Sequence, residues 1–436
     1  MAENPKGNAP DLTFKFLKGG ENAVSPKSGQ HFDWGTAAAT VREHLSDAMN
    51  TRNVAFLMGS GCSSYLSEKK AQLGIPTMAP MAQEFLGKKG SGNSEFITAS
   101  EDALLKEKLG LDVGNEKFEK NLERLMEVLY AYDFVLSGSG NKTLSGAAKT
   151  VSDVIKKISK FVVKCCSEGA FAKSDQTVCD LYQNFYRKLV YRDRALPRPW
   201  IFTTNYDLFN EVAMDRLSIP YGNGFSGTVE RRFNPATFRH SLAEQLDITS
   251  RKWSAVDSFV YLCKLHGSIN WVDREGGLFP IQETQSVASN SERVMIYPTP
   301  AKQNASFASP YSDLFREFQS RVVRDQSVLF VLGYSFADEH VNNIIFQALT
   351  VPTFRMIAFA PLELPGVVTQ LAALNDPRIW FIGGGGPNEN RFAHYFDTFV
   401  EHFMPETPSD KIDKAITKVL ENFVARKGKE SKSDGV

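Results

Sequence analysis

The cysteines of this 436-residue chain assemble neither a metal motif nor a redox motif. Cys62, Cys165, Cys166, Cys179 and Cys263 contain no Cys-x-x-Cys pair. That spacing excludes a zinc ribbon and a thioredoxin-type site, and leaves reduced, mostly buried thiols as the reading. No metal is expected. No apolar run reaches the roughly 20 residues that a membrane span needs. The opening MAENPKGNAPDLTF lacks the basic-then-apolar pattern of a secretory signal, so a cytoplasmic location is expected. Charge of one sign is also missing. Fifty Lys and Arg balance fifty Asp and Glu, so the overall charge selects neither nucleic acid nor an anionic membrane as a partner. No repeat occurs at a fixed period.

What is present describes a packed globular protein. The 42% hydrophobic and 23% charged fractions lie far from the composition of disordered chains. The length suggests one large domain with an addition. Residues 1–34 read as a flexible arm, 35–405 as one α/β domain with a helical insert at about 86–194, and 406–436 as a C-terminal helix and polar tail. Within the domain, Asn53–Met58, Trp200–Thr203, Phe259–Cys263 and Ser327–Leu332 are short apolar runs that read as buried strands. Phe354–Phe359 and Arg378–Ile382 read likewise, and Val294–Tyr297 is a further candidate. Helical periodicity marks Thr36–Met49, Leu208–Leu217, Asp313–Arg324, Ala337–Leu349 and Ser409–Arg426. A helix is also expected directly after Ser63. In the insert, Val151, Val154, Ile155, Ile158, Phe161 and Val162 form an apolar stripe opposite Lys156, Lys157, Lys160 and Lys164, which reads as a solvated face. Apolar strands alternating with helices predict a doubly wound, Rossmann-like parallel sheet, whose ligands sit at the carboxyl ends of the strands.

Four sequence clusters fall at those ends. Gly59-Ser-Gly-Cys-Ser63 follows the first strand, and its glycines could let backbone approach a phosphate, although a plain turn fits equally well and the third glycine of a dehydrogenase fingerprint is missing. Thr203-Thr-Asn-Tyr-Asp207 places Asp207 to cap the next helix. The Asn205 amide, which donates and accepts, suits a ribose hydroxyl or a water. Lys264-Leu-His-Gly-Ser268 sets His266 just past a strand beside a glycine. Gly333-Tyr-Ser-Phe-Ala-Asp338 repeats the strand–turn–helix logic. Asn205, on a strand-end loop, is expected to contribute little to folding.

These clusters, with Gly74-Ile-Pro76, occur in the order seen in the sirtuin superfamily, and the resemblance spans about residues 53–350. TTNYD and GYSF are similar to the bacterial defence-type branch, where protein deacetylases carry TQNID and a GTS-type motif. Asn121-Leu-Glu123 is similar to a segment of the same branch. The four zinc-binding cysteines usual in deacetylases are missing here. The resemblance implies a Rossmann-like NAD-binding core and cleavage of NAD as substrate. It further implies an anti-phage role by NAD depletion and, because the stretch after GYSFADE is too short for a large sensor domain, a HerA-type hexameric ATPase as partner. Homo-oligomerisation is expected.

By this resemblance Asn205 and His266 are the catalytic pair. Gly59, Ser60, Gly61 and Ser63 hold the pyrophosphate, Gly333, Tyr334 and Ser335 face the adenosine half, and Thr204 and Asp207 complete the binding set, Asp207 bracing the Asn205 loop. An imidazole's reference pKa of about 6.5 suits a general base at neutral pH. Two other readings stay open: an NAD-dependent protein deacylase, and a non-catalytic NAD- or ADP-ribose-binding scaffold.

Overall fold

The structure is a computed structural model that describes residues 14–26, 31–69, 71–139, 145–167, 175–247, 249, 252–274, 280–285, 287, 293–295, 310–362, 366–408 and 412. Its centre is a sheet of short strands, largely apolar away from the edges. These are β1 (Lys15–Lys18), β2 (Asn53–Met58), β3 (Trp200–Thr203), β4 (Val260–Lys264), β6 (Ser327–Leu332), β7 (Arg355–Phe359) and β8 (Ile379–Gly383). The order across the sheet is Glu21–Asn22, β1, β8, β7, β6, β2, β3, β4 and Tyr221–Gly222. From β8 to Tyr221–Gly222 all neighbours run parallel, and β1 joins β8 antiparallel at one edge.

Continuous apolar runs such as Asn53-Val-Ala-Phe-Leu-Met58 are what a strand covered on both faces requires. Alternate residues feed two cores. Val54, Phe56, Ile201 and Phe330 pack with helices α1 (Trp34–Met49), α6 (Thr177–Leu189) and α7 (Phe209–Arg216). Ala55, Leu57, Phe202 and Val331 pack on the other face with α8 (Tyr311–Val322) and α9 (Glu339–Leu349). The expected doubly wound α/β architecture is therefore present. The insert is helical as expected: α2 (Met78–Gly87), α3 (Ala99–Leu109), a single turn at Glu116–Glu119, α4 (Leu122–Ser139), α5 (Ser145–Ser167) and α6, all continuous with the first core. On α5, Lys157 does not face solvent. It donates to both Glu101 oxygens at 2.8 and 2.7 Å and to the Phe96 carbonyl at 3.1 Å, fastening α5 to α3.

Several expectations are corrected. Residues 15–18, placed in a loose arm by the sequence, form an edge strand because Phe14 and Phe16 bury against Trp34, His44, Trp380 and Phe403. The helix expected after Ser63 is one 3-10 turn, Ser60–Ser63. A hairpin of Ser64–Leu66 with Gln72–Gly74 follows, returning the chain so that the Ile75 N–H bonds to the Ser63 carbonyl at 2.8 Å. The strand after His266 was also unforeseen. β5 (Gly267–Asp273) leaves the main sheet and enters a five-stranded antiparallel sheet with Phe225–Ser226, Arg231–Phe233, Ile281–Glu283 and Arg293–Met295. The helix expected at Ser409–Arg426 lies outside the described residues apart from Ile412, as do residues 1–13 of the arm. No described helix is long and apolar enough to cross a membrane.

The turn after β6 is packed against the turn after β2 so closely that neither admits a side chain. Gly333 has φ +58°, and a Cβ there would lie 2.5 Å from the Cys62 nitrogen. Left-handed backbone costs an L-residue roughly 1–2 kcal/mol, and overpacking about 1–3 kcal/mol more. Gly333→Ala should therefore lose about 2–5 kcal/mol in urea unfolding. A loss under about 0.5 kcal/mol, the scatter of neutral surface changes, would contradict the close packing.

Candidate active site

The register of the sheet builds the site. Leu332, Met58, Thr203 and Lys264 are successive partners across β6, β2, β3 and β4, so the four strands end on one row. The four sequence clusters begin on that row, at Thr203 and Lys264, or one residue past it, at Gly59 and Gly333. Asn205 and His266 both lie two residues beyond paired ends, on neighbouring strands that run about 4.8 Å apart. The Leu265 N–H extends this ladder to the Thr203 carbonyl at 2.8 Å. From β2 the chain proceeds outward to β3 and β4 on one side, and from β6 to β7 and β8 on the other. The crevice between β2 and β6 is thus the topological switch point, where this architecture receives ligands.

The glycine loop has a different task from the one its sequence implied. The N–H of Gly59 bonds to the Leu332 carbonyl at 2.9 Å, that of Gly61 to the Gly333 carbonyl at 2.9 Å, and that of Cys62 to the Gly59 carbonyl at 3.0 Å. Those groups are not open to a phosphate. Gly59, Gly61 and Gly333 instead let two backbone turns touch across the switch point. Ser60 and Ser335 stand exposed on the two turns, and Thr204 is half-buried beside them.

Asn205 is buried, and its amide is fixed. Nδ2 donates to the Gly59 carbonyl and to Ser63 Oγ, each at 3.0 Å. Ser63 Oγ donates in turn to Asp207 Oδ2 at 2.7 Å, and it lies 3.0 Å from the Tyr182 hydroxyl. Ser63 has one proton, which goes to Asp207, so Tyr182 must donate to Ser63. Burial holds the Tyr182 phenol well above its usual range, which keeps it a donor. Both protons of the Asn205 amide are thus occupied, and Oδ1, which has no hydrogen-bond partner among the described residues, is left to accept. The amide can receive a ribose hydroxyl or a water but cannot donate to one.

Beneath this chain lies a buried ammonium. Lys264 Nζ donates to Ser268 Oγ at 2.8 Å, to Glu211 Oε1 at 2.9 Å and to the Asp207 carbonyl. Burial pushes the Asp207 and Glu211 carboxyls up from the usual range, and the Lys264 charge opposes that shift in both. Asp207 Oδ1 also accepts the Phe209 N–H at 3.0 Å, but the N-cap of α7 is Leu208, so the expected capping position falls one residue later while the carboxylate still ties down the helix start.

His266 occupies the two-residue turn between β4 and β5 and is buried. Its Nε2 is 3.0 Å from Asp338 Oδ2, within bonding distance but off the direction of a hydrogen bond. The Phe315 ring of α8 lies 6.4 Å from the imidazole, centroid to centroid.

The predicted site residues therefore gather in one crevice with unequal access. Ser60 and Ser335 are exposed and Thr204 half-buried, while Asn205 and His266 are buried. Ser63 and Asp207 are buried behind Asn205 and orient it. Tyr334 is buried as well: its hydroxyl accepts the Asp338 N–H at 3.3 Å and lies 3.2 Å from Asn342 Oδ1, fastening its own turn. Sequence reasoning missed Tyr182, Lys264 and Asp338. A lysine closing the apolar strand Val260-Tyr-Leu-Cys-Lys264 was the available signal for the second of these. Among the described residues, no three His, Cys, Asp or Glu side chains converge as metal ligands would.

The fold and the crevice define a Rossmann-like α/β protein with a polar site at its switch point. Residues 199–367 match the model of the SIR2-like domain family. The match takes in the Asn205, His266 and Gly333 clusters and stops short of Gly59–Ser63, which the hydrogen bonds above join to the same site. No curated protein matches the chain. The family match suggests an NAD-related activity for the chain.

The geometry makes Asn205 a folding residue as well as a site residue, contrary to the sequence expectation. Asn205→Ala removes one donor from the Gly59 carbonyl, which keeps the Cys62 N–H, and one from Ser63 Oγ, which keeps the Tyr182 hydroxyl, at about 0.5–1.5 kcal/mol per lost bond. Asn205→Asp should cost more, because it sets a carboxylate oxygen against that carbonyl and next to Asp207. Urea unfolding of the three proteins checks the order. Equal stability of the aspartate variant and the parent would refute the assigned amide orientation.

Proposed function

We propose that this protein hydrolyses NAD to nicotinamide and ADP-ribose. The observation that carries the reading is the placement of Asn205 and His266 at equivalent positions past neighbouring strand ends, each with an acceptor atom not engaged by any described residue. Nicotinamide leaves as a neutral molecule from a cationic nucleotide, taking the electron pair of the ribose C1′–N bond, so no general acid is needed. Positive charge develops on the ribose ring as in other glycoside cleavages. Asn205 Oδ1 orients a ribose hydroxyl or the attacking water. His266 takes the proton of that water as its oxygen bonds to C1′, and then releases it to solvent. The exposed Ser60 and Ser335 and the half-buried Thr204 are the hydroxyls available to the remainder of the dinucleotide.

The similarity of the motifs to defence-type sirtuins supports a wider role: an effector that depletes NAD during phage infection, acting in the cytoplasm as a homo-oligomer with a HerA-type ATPase. Depletion of a shared cofactor needs only hydrolysis and no acyl-lysine groove.

Product analysis tests the reaction. Purified protein incubated with NAD should give nicotinamide and ADP-ribose without any acyl acceptor. Acyl-ADP-ribose formed only with an acylated peptide would identify a deacylase. NAD bound without turnover, with or without a HerA-type ATPase, would identify a scaffold. His266→Ala should lose about 10²–10⁴-fold in kcat with NAD affinity within a few-fold of the parent. Affinity falling in step with kcat would make His266 a binding residue.

A further inference from the structure

We propose that Asp338 is a positioning residue that fixes the tautomer of His266, so that Nε2 carries the proton and Nδ1 is the base. The role in catalysis rests on the NAD-hydrolase reading above; the tautomer assignment does not.

The two oxygens of the buried Asp338 carboxylate have different partners. Asp338 is the N-cap of α9. Its Oδ1 accepts the N–H of His340 at 2.9 Å and of Val341 at 3.2 Å. Its other oxygen, Oδ2, faces His266 Nε2 at 3.0 Å. A carboxylate only accepts, so the ring nitrogen opposite it must donate. Nε2 is buried with no aligned hydrogen bond in the unliganded structure, and such contacts commonly tighten when substrate binds. Nδ1 makes no hydrogen bond with a described residue. The Phe315 ring lies 6.4 Å from the imidazole, centroid to centroid, with His340 6.1 Å from Phe315, and the buried Lys264 turns away toward Glu211 and Asp207.

Asp338 is itself anchored. Its N–H bonds to the Tyr334 hydroxyl, and the Asn342 amide donates to the Phe336 carbonyl at 2.8 Å. Phe336 sits at φ +57°, a conformation unfavourable for a phenylalanine, held by these bonds on either side. The strained turn Gly333–Asp338 thereby delivers one carboxylate oxygen to a helix end and the other to the imidazole.

Asp338→Asn separates the two duties. Asparagine caps a helix about as well as aspartate, but it has one acceptor oxygen. The backbone N–H groups of His340 and Val341 demand that oxygen, so the amide NH2 must turn to His266. Nε2 then has to accept, and the imidazole proton moves to Nδ1, the nitrogen assigned as base. An inverted tautomer at an aspartate-oriented histidine costs on the order of 10⁴ in kcat in the serine protease triad, with the geometry otherwise intact.

The experiment is a long-range ¹H–¹⁵N correlation spectrum of the full chain with ¹⁵N-labelled imidazoles. The protein has seven histidines, and His266 is assigned by the signals lost in His266→Gln. The parent should show the Nε2-protonated form and Asp338→Asn the Nδ1-protonated form, with the denaturation midpoint unchanged. In NAD turnover, Asp338→Asn should lose about 10²–10⁴-fold in kcat while KM stays within about threefold. Asp338→Ser, which caps through one hydroxyl and presents no acceptor to the ring, should give a mixture of tautomers and serves if the asparagine variant fails to fold. The same tautomer in parent and both variants would overturn the proposal, as would kcat within about twofold of an active parent. A parent that does not cleave NAD would sink the hydrolase reading alone, since the spectrum decides the tautomer without turnover.

Discussion

An ammonium with almost no contact with water sets the geometry of the crevice. Lys264 ends an apolar strand and turns its charge inward, where desolvation costs several kcal/mol unless every donor finds a partner. The partners are Ser268 Oγ, Glu211 Oε1 and the Asp207 carbonyl, so β5, α7 and the Asn205 loop are drawn to one point. Asp207, steadied there, receives the Ser63 proton, and Ser63 is left to receive protons from Tyr182 and Asn205. A charge placed below the site is thus converted, through a fixed sequence of donors and acceptors, into the direction of one amide at its surface. The helical insert takes part through Tyr182, which ties α6 to the glycine loop.

The opposite wall follows the same principle with the sign reversed. There a buried carboxylate, Asp338, divides its two oxygens between the N-terminus of α9 and His266. Each reactive group is therefore held by a buried ion that a ligand need not touch. The two walls meet because Gly59, Gly61 and Gly333 have no side chains to keep the turns apart.

Elements that are long and covered on both faces were legible from the sequence. Asn53–Met58, Trp200–Thr203 and Ser327–Leu332 read directly as strands, because a parallel strand in a doubly wound sheet has no polar face to break the run. The edge strand Lys15-Phe-Leu-Lys18 did not, since four residues with two lysines resemble a loop until Trp380 and Phe403 are placed against them. The same holds for the pieces of two or three residues in the second sheet, which are too short for any period to show. The motifs located the crevice, but their chemistry was only half readable. That Ser63 and Asp207 face inward, or that the Asn205 amide can only accept, depends on partners such as Tyr182 that no spacing brings together. The pairing of His266 with Asp338 is equally a product of the fold, made by two strand ends on opposite sides of the switch point.

The most direct measurement is a crystal structure of the protein with a non-hydrolysable NAD analogue. The account places the nicotinamide ribose between Asn205 Oδ1 and His266 Nδ1, with the pyrophosphate crossing the β2–β6 crevice near Ser60 and Ser335. An analogue bound with its nicotinamide ribose away from both residues, or bound elsewhere on the molecule, would contradict it.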